Sequence, residues 1–312
     1  MAGRDSTPVA PSHSGTAGPF VPDGRRRRIR MPASPIGRGR WRRRRRLLFV
    51  TGASGFVGRH LVNGPASEKW EVIAPGSRSL DLRRRDSVLG EIVDWRPDAV
   101  IHLAYRRDDR QVIVDGTRNV AEAAAAARSR LVHVSTDLVF PGGPVAFSEH
   151  DEPHPLVDYG VDKLDAERLV ADIAPGAVIV RTSLVYGTER PSPPQIELSK
   201  QLRSPARRTA MSYFTDEYRC PVHAADLAAA LVDLATRRDV AGPLHVTGPE
   251  VVSRHDLAVR FARHAGLERQ AASIRASTIQ ESGTVRPGRI ELDVSKAEQL
   301  GIRCRPVSAV LP

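Results

Sequence analysis

The chain is poor in cysteine, in aromatic residues and in long apolar runs. Its 312 residues hold only two cysteines, Cys220 and Cys304, which lie far apart and show no metal-ligand spacing. That excludes a disulfide framework and a cysteine-rich metal site, so we expect no metal and a cytoplasmic protein. No stretch approaches the roughly 20 consecutive apolar residues of a membrane helix, so we also expect no membrane span.

Lysine is scarce as well, and basic positions are almost always arginine, which number 43 against four lysines. The formal net charge of +11 comes from residues 1–46, where thirteen arginines face two aspartates. The other 34 basic residues are matched by 34 acidic ones. The charge therefore belongs to a segment rich in Pro, Gly and Ser, which predicts a disordered basic tail over residues 1–45. Nucleic acid is expected to bind, if at all, through this tail alone.

Short apolar runs alternate with helical segments through the first half of the chain. Strands are predicted at 47–50, 71–74, 99–104, 131–134 and 177–180, and helices at 56–62, 117–127 and 158–171. This alternation predicts a Rossmann-type α/β fold with a doubly wound parallel sheet and a smaller C-terminal α/β lobe. We expect the nucleotide-binding domain over 46–187 and the substrate lobe over 188–312, with a helix near 223–237 returning to the first domain.

A glycine-rich loop joins the first strand to the first helix. Residues 51–58 read TGASGFVG. Glycines at this spacing allow a tight turn and close approach of the backbone to a pyrophosphate, and the helix N-terminus offers free N–H groups. The predicted cofactor-binding residues of this loop are Gly52, Ser54, Gly55, Phe56, Val57 and Gly58.

Two further segments are expected to hold the rest of a dinucleotide. Arg78 follows the second strand at the distance where an arginine accommodates a 2′-phosphate, which favours NADP(H) over NAD(H). The other predicted contacts are Asp81 and Leu82 at the adenine, and Leu103, Ala104 and Tyr105 after the third strand.

Tyr159 and Lys163 stand four residues apart on a predicted helix, and therefore on one helix face. An ammonium beside a phenol favours the phenolate, so we expect Lys163 to lower the pKa of Tyr159 from about 10 toward neutrality. A tyrosine tuned in this way acts as a general acid near pH 7. The pair follows the glycine loop by about a hundred residues and comes soon after a strand ending in Ser135-Thr136.

Taken together, these motifs resemble the extended short-chain dehydrogenase/reductase family. The segments TGASGFVG, IHLA, VSTDLVF, YGVDK and RTSLVYG occur in the order of that family. Within it, the segment STDLVF and the later DEYRCP are most similar to the dTDP-4-dehydrorhamnose reductase group. The resemblance implies hydride transfer between NADPH and a hexulose carbon. It also implies that Thr136 binds the carbonyl oxygen, Tyr159 donates the proton and Lys163 holds the nicotinamide ribose.

The same resemblance implies a nucleotide-sugar substrate, with contacts from Asp137, Leu138, Leu184 and Arg219. Two of these positions depart from the group, which has aromatic residues where this chain has Leu138 and Leu184. Ile113 also replaces an asparagine that many extended members carry. These departures leave the sugar open.

Several functions are compatible with this pattern. The leading one is an NADPH-dependent reductase of a nucleotide-activated 4-keto-6-deoxy sugar. The alternatives are a sugar-nucleotide epimerase and a non-catalytic, NADP-binding regulatory subunit like that of methionine adenosyltransferase. A homodimer is one expected state of assembly.

Overall fold

A computed structural model describes residues 45–64, 69–204 and 212–312. The predicted basic tail, residues 1–45, lies outside the described residues except for Arg45. In chain order the described strands are β1 Arg46–Thr51, β2 Trp70–Ile73, β3 Ala99–His102, β4 Arg130–Thr136, β5 Val178–Thr182, β6 Val185–Tyr186, β7 Ser212–Phe214, β8 Tyr218–Arg219, β9 Val222–His223, β10 Gly242–His245, β11 Val252–Ser253 and β12 Arg275–Ser277.

Six helices of eight residues or more lie between residues 56 and 234 of the described chain. They are α1 Phe56–Asn63, α2 Arg85–Trp95, α3 Gly116–Ala126, α4 Asp158–Ile173, α5 Pro193–Arg203 and α6 Ala224–Leu234. A seventh, Arg254–His264, belongs to the lobe. A π-helix, Gln111–Asp115, leads into α3, and short helices span Asp137–Val139, Glu268–Ala271, Ile279–Ser282, Ser295–Gln299 and Val307–Val310.

The central sheet is parallel and has the strand order β2-β1-β3-β4-β5-β10. The direction of winding reverses between β1 and β3. In open α/β sheets, ligands bind outside the carboxyl ends of the strands at such a switch point. The glycine loop follows β1 directly, so the topology places the candidate cofactor loop at this crevice.

Both faces of the sheet are covered, which is why its strands are continuous apolar runs rather than alternating ones. Successive side chains of β1 point to opposite faces. Leu48 and Val50 pack with helices α1 and α6 through residues such as Leu61. Phe49 packs on the other side with helices α2, α3 and α4, against residues such as Ile92. The fold is therefore the predicted doubly wound α/β sandwich.

Helix α2 is an element that the sequence analysis did not predict. Only Val88 and Ile92 among its 11 residues are buried, so its apolar periodicity is weak. The helix forms because these two side chains dock into the apolar layer beneath the sheet. Tertiary packing outweighs the weak local signal here.

Several elements from the second half of the chain pack with one another outside the main sheet. Helix α5 begins with a capping box between Ser192 and Gln195 and packs against the helix Arg254–His264. Strand β7 pairs in parallel with β12, and β8 pairs antiparallel with β11. Strand β10 and helix α6, although late in the chain, complete the main sheet and its covering layer.

Candidate active site

A cleft of about 380 Å³ opens at the carboxyl ends of β1 and β3. It is lined by eight of the residues predicted to bind a cofactor: Gly52, Ser54, Gly55, Asp81, Leu82, Leu103, Ala104 and Tyr105. It is also lined by residues that the sequence analysis did not assign: Thr51, Pro75, Ser77, Leu80, Arg83, Arg106 and Val112. The structure therefore brings three separate predicted segments to one site.

The glycine loop has the geometry of a phosphate cradle. Gly52 has φ of 73°, and a Cβ there would lie 2.6 Å from the backbone nitrogen of Ala104. A Cβ on Gly58 would lie 2.6 Å from Cα of Ala53, so this glycine lets α1 pack against the loop. Gly55 caps α1 with extended backbone and no side chain. The free N–H groups at this helix end fit a dinucleotide's pyrophosphate.

Not every predicted cofactor residue lines the cleft. Phe56, Val57 and Gly58 lie in the first turn of α1, beside the cleft rather than in its wall. Arg78 lies in an exposed turn and is also outside the lining, as are Tyr159 and Lys163, the other two residues predicted to bind the cofactor. The arginines that do line the cleft are Arg83 and Arg106. Arg83 directly follows the lining segment 80–82, and Arg106 directly follows the lining segment 103–105.

Asp81 and Arg83 form a two-pronged ion pair in the cleft wall. Arg83 donates from Nε to Oδ1 of Asp81 at 3.0 Å and from Nη2 to Oδ2 at 2.9 Å. These bonds, with the backbone N–H of Arg83, lower the pKa of Asp81 to about 2. The Asp81 carboxylate in the cleft wall is therefore paired with a neighbouring cation.

Thr136 ends β4, where the chain turns into the short helix Asp137–Val139. Its Oγ1 donates to Oδ1 of Asp137 at 3.1 Å and accepts the backbone N–H of Leu138 at 3.2 Å. Asp137 is 4% exposed and also accepts the hydroxyl proton of Ser183 at 2.6 Å. Burial raises the pKa of Asp137, although the nearby guanidinium of Arg219 opposes that shift. The Thr136 hydroxyl is thus held at the strand end by a buried carboxyl.

Tyr159 lies in the first turn of α4 and packs with Ile113 of the π-helix. Its ring centroid is 5.9 Å from that of Tyr105, which lines the cleft. The guanidinium carbon of Arg107 lies 4.9 Å from the centre of the Tyr159 ring. Burial raises the pKa of Tyr159 above its ordinary value, and Arg107 acts in the opposite direction.

Lys163 is 4% exposed and turns toward the sheet. Its Nζ donates to the carbonyl oxygen of Val134 at 2.7 Å and lies 3.3 Å from Nε2 of His133. Burial lowers the pKa of Lys163 to about 8, with Glu167 opposing the shift. The expectation that Lys163 lowers the pKa of Tyr159 is therefore wrong for the protein as described. Burial dominates, and the cation that acts on the phenol is Arg107.

Gly160 allows α4 to reach the turn that carries Thr136. A Cβ at this position would overlap the carbonyl oxygen of Leu138 and lie 2.9 Å from Cβ of Pro155. Any larger residue would push the helix, and Tyr159 with it, away from the end of β4. The glycine in YGVDK is thus a packing requirement of the site.

Of the four predicted substrate residues, two are in contact with each other and the other two lie in separate apolar clusters. Asp137 and Arg219 meet, with 3.6 Å between Oδ2 and Nε. Arg219 is 2% exposed and also donates to the carbonyls of Pro287 and Gly288, so it links that late loop to the turn containing Asp137.

The two leucines belong to separate apolar clusters. Leu138 packs beside Phe140 and Phe147. Leu184 packs beside Tyr186 and Leu257 in the lobe. Each is partly buried.

A group of cations beyond Arg219 was missed by the sequence analysis. Arg286 donates to Oε2 of Glu217 at 2.6 Å, and its Nε is buried without a partner among the described residues. Burial lowers the pKa of Arg254, whose largest opposing influence is Glu217. In a chain this rich in arginine, no sequence signal distinguishes Arg254 from surface arginines, whereas Arg286 begins a segment, 286–293, that resembles a late motif of the reductase group.

A buried ion pair supports the site from behind. Glu167 lies one helical turn after Lys163 and accepts the hydroxyl proton of Ser135. Arg181 of β5 donates to both carboxylate oxygens of Glu167, the shortest contact being 2.8 Å. Both side chains are 4% exposed. The network joins β4, β5 and α4 directly beneath Thr136.

The model of the RmlD substrate binding domain family matches residues 45–311. The chain belongs to this family. Its placement in the extended short-chain dehydrogenase/reductases and the predicted fold class are thereby confirmed, and the chain is an NAD(P)-dependent oxidoreductase by family.

Curated relatives of two kinds are similar to it. A dTDP-4-dehydrorhamnose reductase of Aggregatibacter actinomycetemcomitans is 30% identical over 278 residues, which cover 81% of this chain and 92% of that protein. The methionine adenosyltransferase 2 subunit beta of Bos taurus is 29% identical over 281 residues, covering 82% of this chain and 83% of that protein.

Solved structures agree with the fold. The dTDP-4-dehydrorhamnose reductase of Bacillus anthracis str. Ames, in complex with NADP, has a TM-score of 0.76 and 24% identity, covering 86% of this chain and 97% of that one. The protein MoeE5, in complex with UDP-glucose and NAD, has a TM-score of 0.65 and 25% identity, covering 83% and 93%.

The described residues, 45–64, 69–204 and 212–312, offer neither a cluster of metal ligands nor a membrane-spanning helix. No group of three or more His, Cys, Asp or Glu side chains there could hold a metal ion. None of the helices in those ranges has the length and apolar character needed to cross a membrane.

Proposed function

We propose that the protein is an NADPH-dependent reductase that converts the 4-keto group of a nucleotide-activated 6-deoxy sugar to a hydroxyl. The observation that carries this is the placement of Tyr159, a partly buried phenol, beside Tyr105, which lines the cofactor cleft. Thr136 supplies a second hydroxyl at the end of the neighbouring strand. A bound reduced nicotinamide would supply the hydride.

Tyr159 holds the proton that the reaction needs. Its raised pKa keeps the phenol protonated at neutral pH, so the O–H is available when negative charge develops on the substrate oxygen. Thr136 would donate to the same oxygen, releasing its bond to Asp137. The Arg107 cation near the ring favours the phenolate that remains.

The cleft also supports the preference for NADP(H). Arg83 and Arg106 line it, and Arg83 already neutralises Asp81. A carboxylate free to bind a ribose 2′-hydroxyl favours NAD, whereas guanidinium groups favour a 2′-phosphate. Because the Arg83 guanidinium is already paired with Asp81, we assign the 2′-phosphate to Arg106, with Arg78 as the other expected contact.

The substrate's diphosphate would lie toward the lobe. Arg254 and Arg286 surround a single carboxylate, Glu217, so the group carries excess positive charge. Guanidinium groups pair well with phosphate oxygens. Charge complementarity therefore supports an anionic nucleotide sugar over a neutral sugar.

The test is NADPH oxidation with a panel of nucleotide-linked 4-keto-6-deoxyhexoses. Tyr159→Phe removes only the phenolic oxygen and should lower turnover by about 10²–10⁴-fold. Tyr105→Phe, the same change on the neighbouring ring, is the matched control and should retain most activity. Wild-type turnover no faster than that of Tyr159→Phe across the panel would refute the proposal. An epimerase would instead interconvert sugars without net consumption of NADPH.

A second candidate is a binding role, favoured by the similarity to the beta subunit of methionine adenosyltransferase 2. It predicts a stoichiometric protein partner and cofactor binding without turnover. Co-purification followed by mass spectrometry, together with the assay above, separates the two functions. We place the reaction in the cytoplasm and propose a homodimer, which light scattering would measure.

A further inference from the structure

Two buried histidines lie behind Lys163. His102 on β3 and His133 on β4 are directly opposite in the sheet register, and each is 1% exposed. Their ring centroids are 5.3 Å apart. Burial lowers the pKa of both, so both rings are neutral at physiological pH.

The hydrogen bonds of His102 fix its tautomer and complete its pairing. Thr117 donates its single hydroxyl proton to the carbonyl of Ile113 at 2.5 Å. Its oxygen can therefore only accept from Nε2 of His102, at 3.0 Å. Nδ1 of His102 is then the acceptor and takes the hydroxyl proton of Thr51 at 2.6 Å. His102 is a satisfied structural residue.

His133 is different, because its partner is the ammonium of Lys163. An ammonium has three N–H donors and no acceptor. One donor goes to the carbonyl of Val134 and one faces Nε2 of His133. That leaves a single N–H of Lys163 for a hydroxyl outside the protein, such as one of a cofactor ribose.

The tautomer of His133 leaves one of its ring nitrogens without a hydrogen-bond partner among the described residues. Since Nε2 of His133 accepts, its proton sits on Nδ1, which is buried and has no partner among the described residues. A buried donor without a partner is destabilising, and such groups call for a functional explanation. The side chain's use is therefore the acceptor that it presents to Lys163.

We propose that His133 is a positioning residue that, with the Val134 carbonyl, engages two of the three N–H groups of Lys163 and thereby sets the direction of the third. Any effect of this positioning on catalysis rests on the proposed reductase function. The other charged group near Lys163 is Glu167, on the same helix, whose carboxylate is engaged by Arg181. His133 is thus the neutral acceptor on the sheet side.

The test compares two amides of different reach. In His133→Gln the amide oxygen can take the place of Nε2, whereas in His133→Asn it reaches only as far as Nδ1. The chain contains four lysines, so selective ¹⁵N-lysine labelling of the full-length protein gives four side-chain signals. Lys163→Met identifies the signal of Lys163. Each variant is titrated without cofactor, and the midpoint of Lys163 is measured.

Wild type should titrate near pH 8. Removing an acceptor from a charged donor disfavours the charged form, so His133→Asn should titrate lower by about one pH unit or more, and His133→Gln should restore the wild-type midpoint. Equal midpoints in all three proteins, or equal shifts in both variants, would overturn the proposal.

Lys296, which donates to the Pro243 carbonyl, reports whether the fold is intact. Should His133→Asn not fold, His133→Met replaces it with the same expected shift. A wild-type protein without reductase activity would refute the proposed function but leave this titration unaffected.

Discussion

The buried Glu167–Arg181 pair offers the sharpest prediction about stability. Glu167→Gln keeps the volume of the side chain and a hydrogen-bond acceptor for Ser135 but removes the negative charge. Arg181 is 4% exposed and is then left as a buried cation without a counter-charge. Breaking a buried ion pair in this way costs about 3–5 kcal/mol.

That loss is large compared with the total stability of a domain, about 5–15 kcal/mol. For a chain of this size it corresponds to a fall in the melting temperature of about 6–20 °C. Urea unfolding monitored by circular dichroism measures the free energy, and calorimetry measures the temperature. Activity should fall as well, because Ser135 adjoins Thr136.

The double variant Glu167→Leu/Arg181→Met supplies the control. Replacing both charges with apolar side chains of similar size is often nearly neutral, since no buried charge remains. The double variant should therefore be more stable than Glu167→Gln. A single variant within about 1 kcal/mol of wild type, or a double variant less stable than the single one, would refute the reasoning.

Three further predictions follow from the site. Gly160→Ala should lower the free energy of unfolding by about 1–3 kcal/mol and should lower turnover by displacing Tyr159. Its control is Gly90→Ala in α2, where the added Cβ meets open space and should raise the free energy of unfolding by up to about 1 kcal/mol in the same urea assay. Arg107→Gln should raise the pKa of Tyr159 further, and the less acidic phenol should lower turnover about 2–5-fold at neutral pH; turnover equal to that of the wild type would contradict this. Because the unfolded chain protonates His102 and His133 near pH 6.5 while the folded protein does not, stability should fall below that pH by about 1.4 kcal/mol per pH unit for each group, continuing toward pH 3 for His102. Urea midpoints measured between pH 7.5 and 5 that do not change would refute this last prediction.

Most strands and helices of the Rossmann half were predictable because they are buried on both faces or on one clear stripe. The run 47–50 became β1, and the segment 158–171 became most of α4. Helix α2 was not predictable, since only two of its residues are buried. Its position depends on an apolar layer that other elements supply.

The site divides in the same way. Gly52 and Gly58 were predictable as positions that need glycine, and in the structure a Cβ at either one would overlap neighbouring backbone. The pKa argument for Tyr159 and Lys163 was not reliable, because spacing on a helix says nothing about burial. Burial raises the pKa of Tyr159, and His133 and the Val134 carbonyl receive the Lys163 ammonium.

By itself, the sequence determined the order of the motifs: a glycine loop, a strand ending in Thr136, and a helix carrying Tyr159 and Lys163. These features are local, since each depends on neighbouring residues and on the period of a helix or strand. Only the tertiary structure decided the partners. Arg107 contacts Tyr159 across a sequence separation of 52 residues, and His133 contacts Lys163 across a separation of 30. Such contacts depend on strand order and on the dielectric environment of the folded interior, which no short stretch of sequence contains.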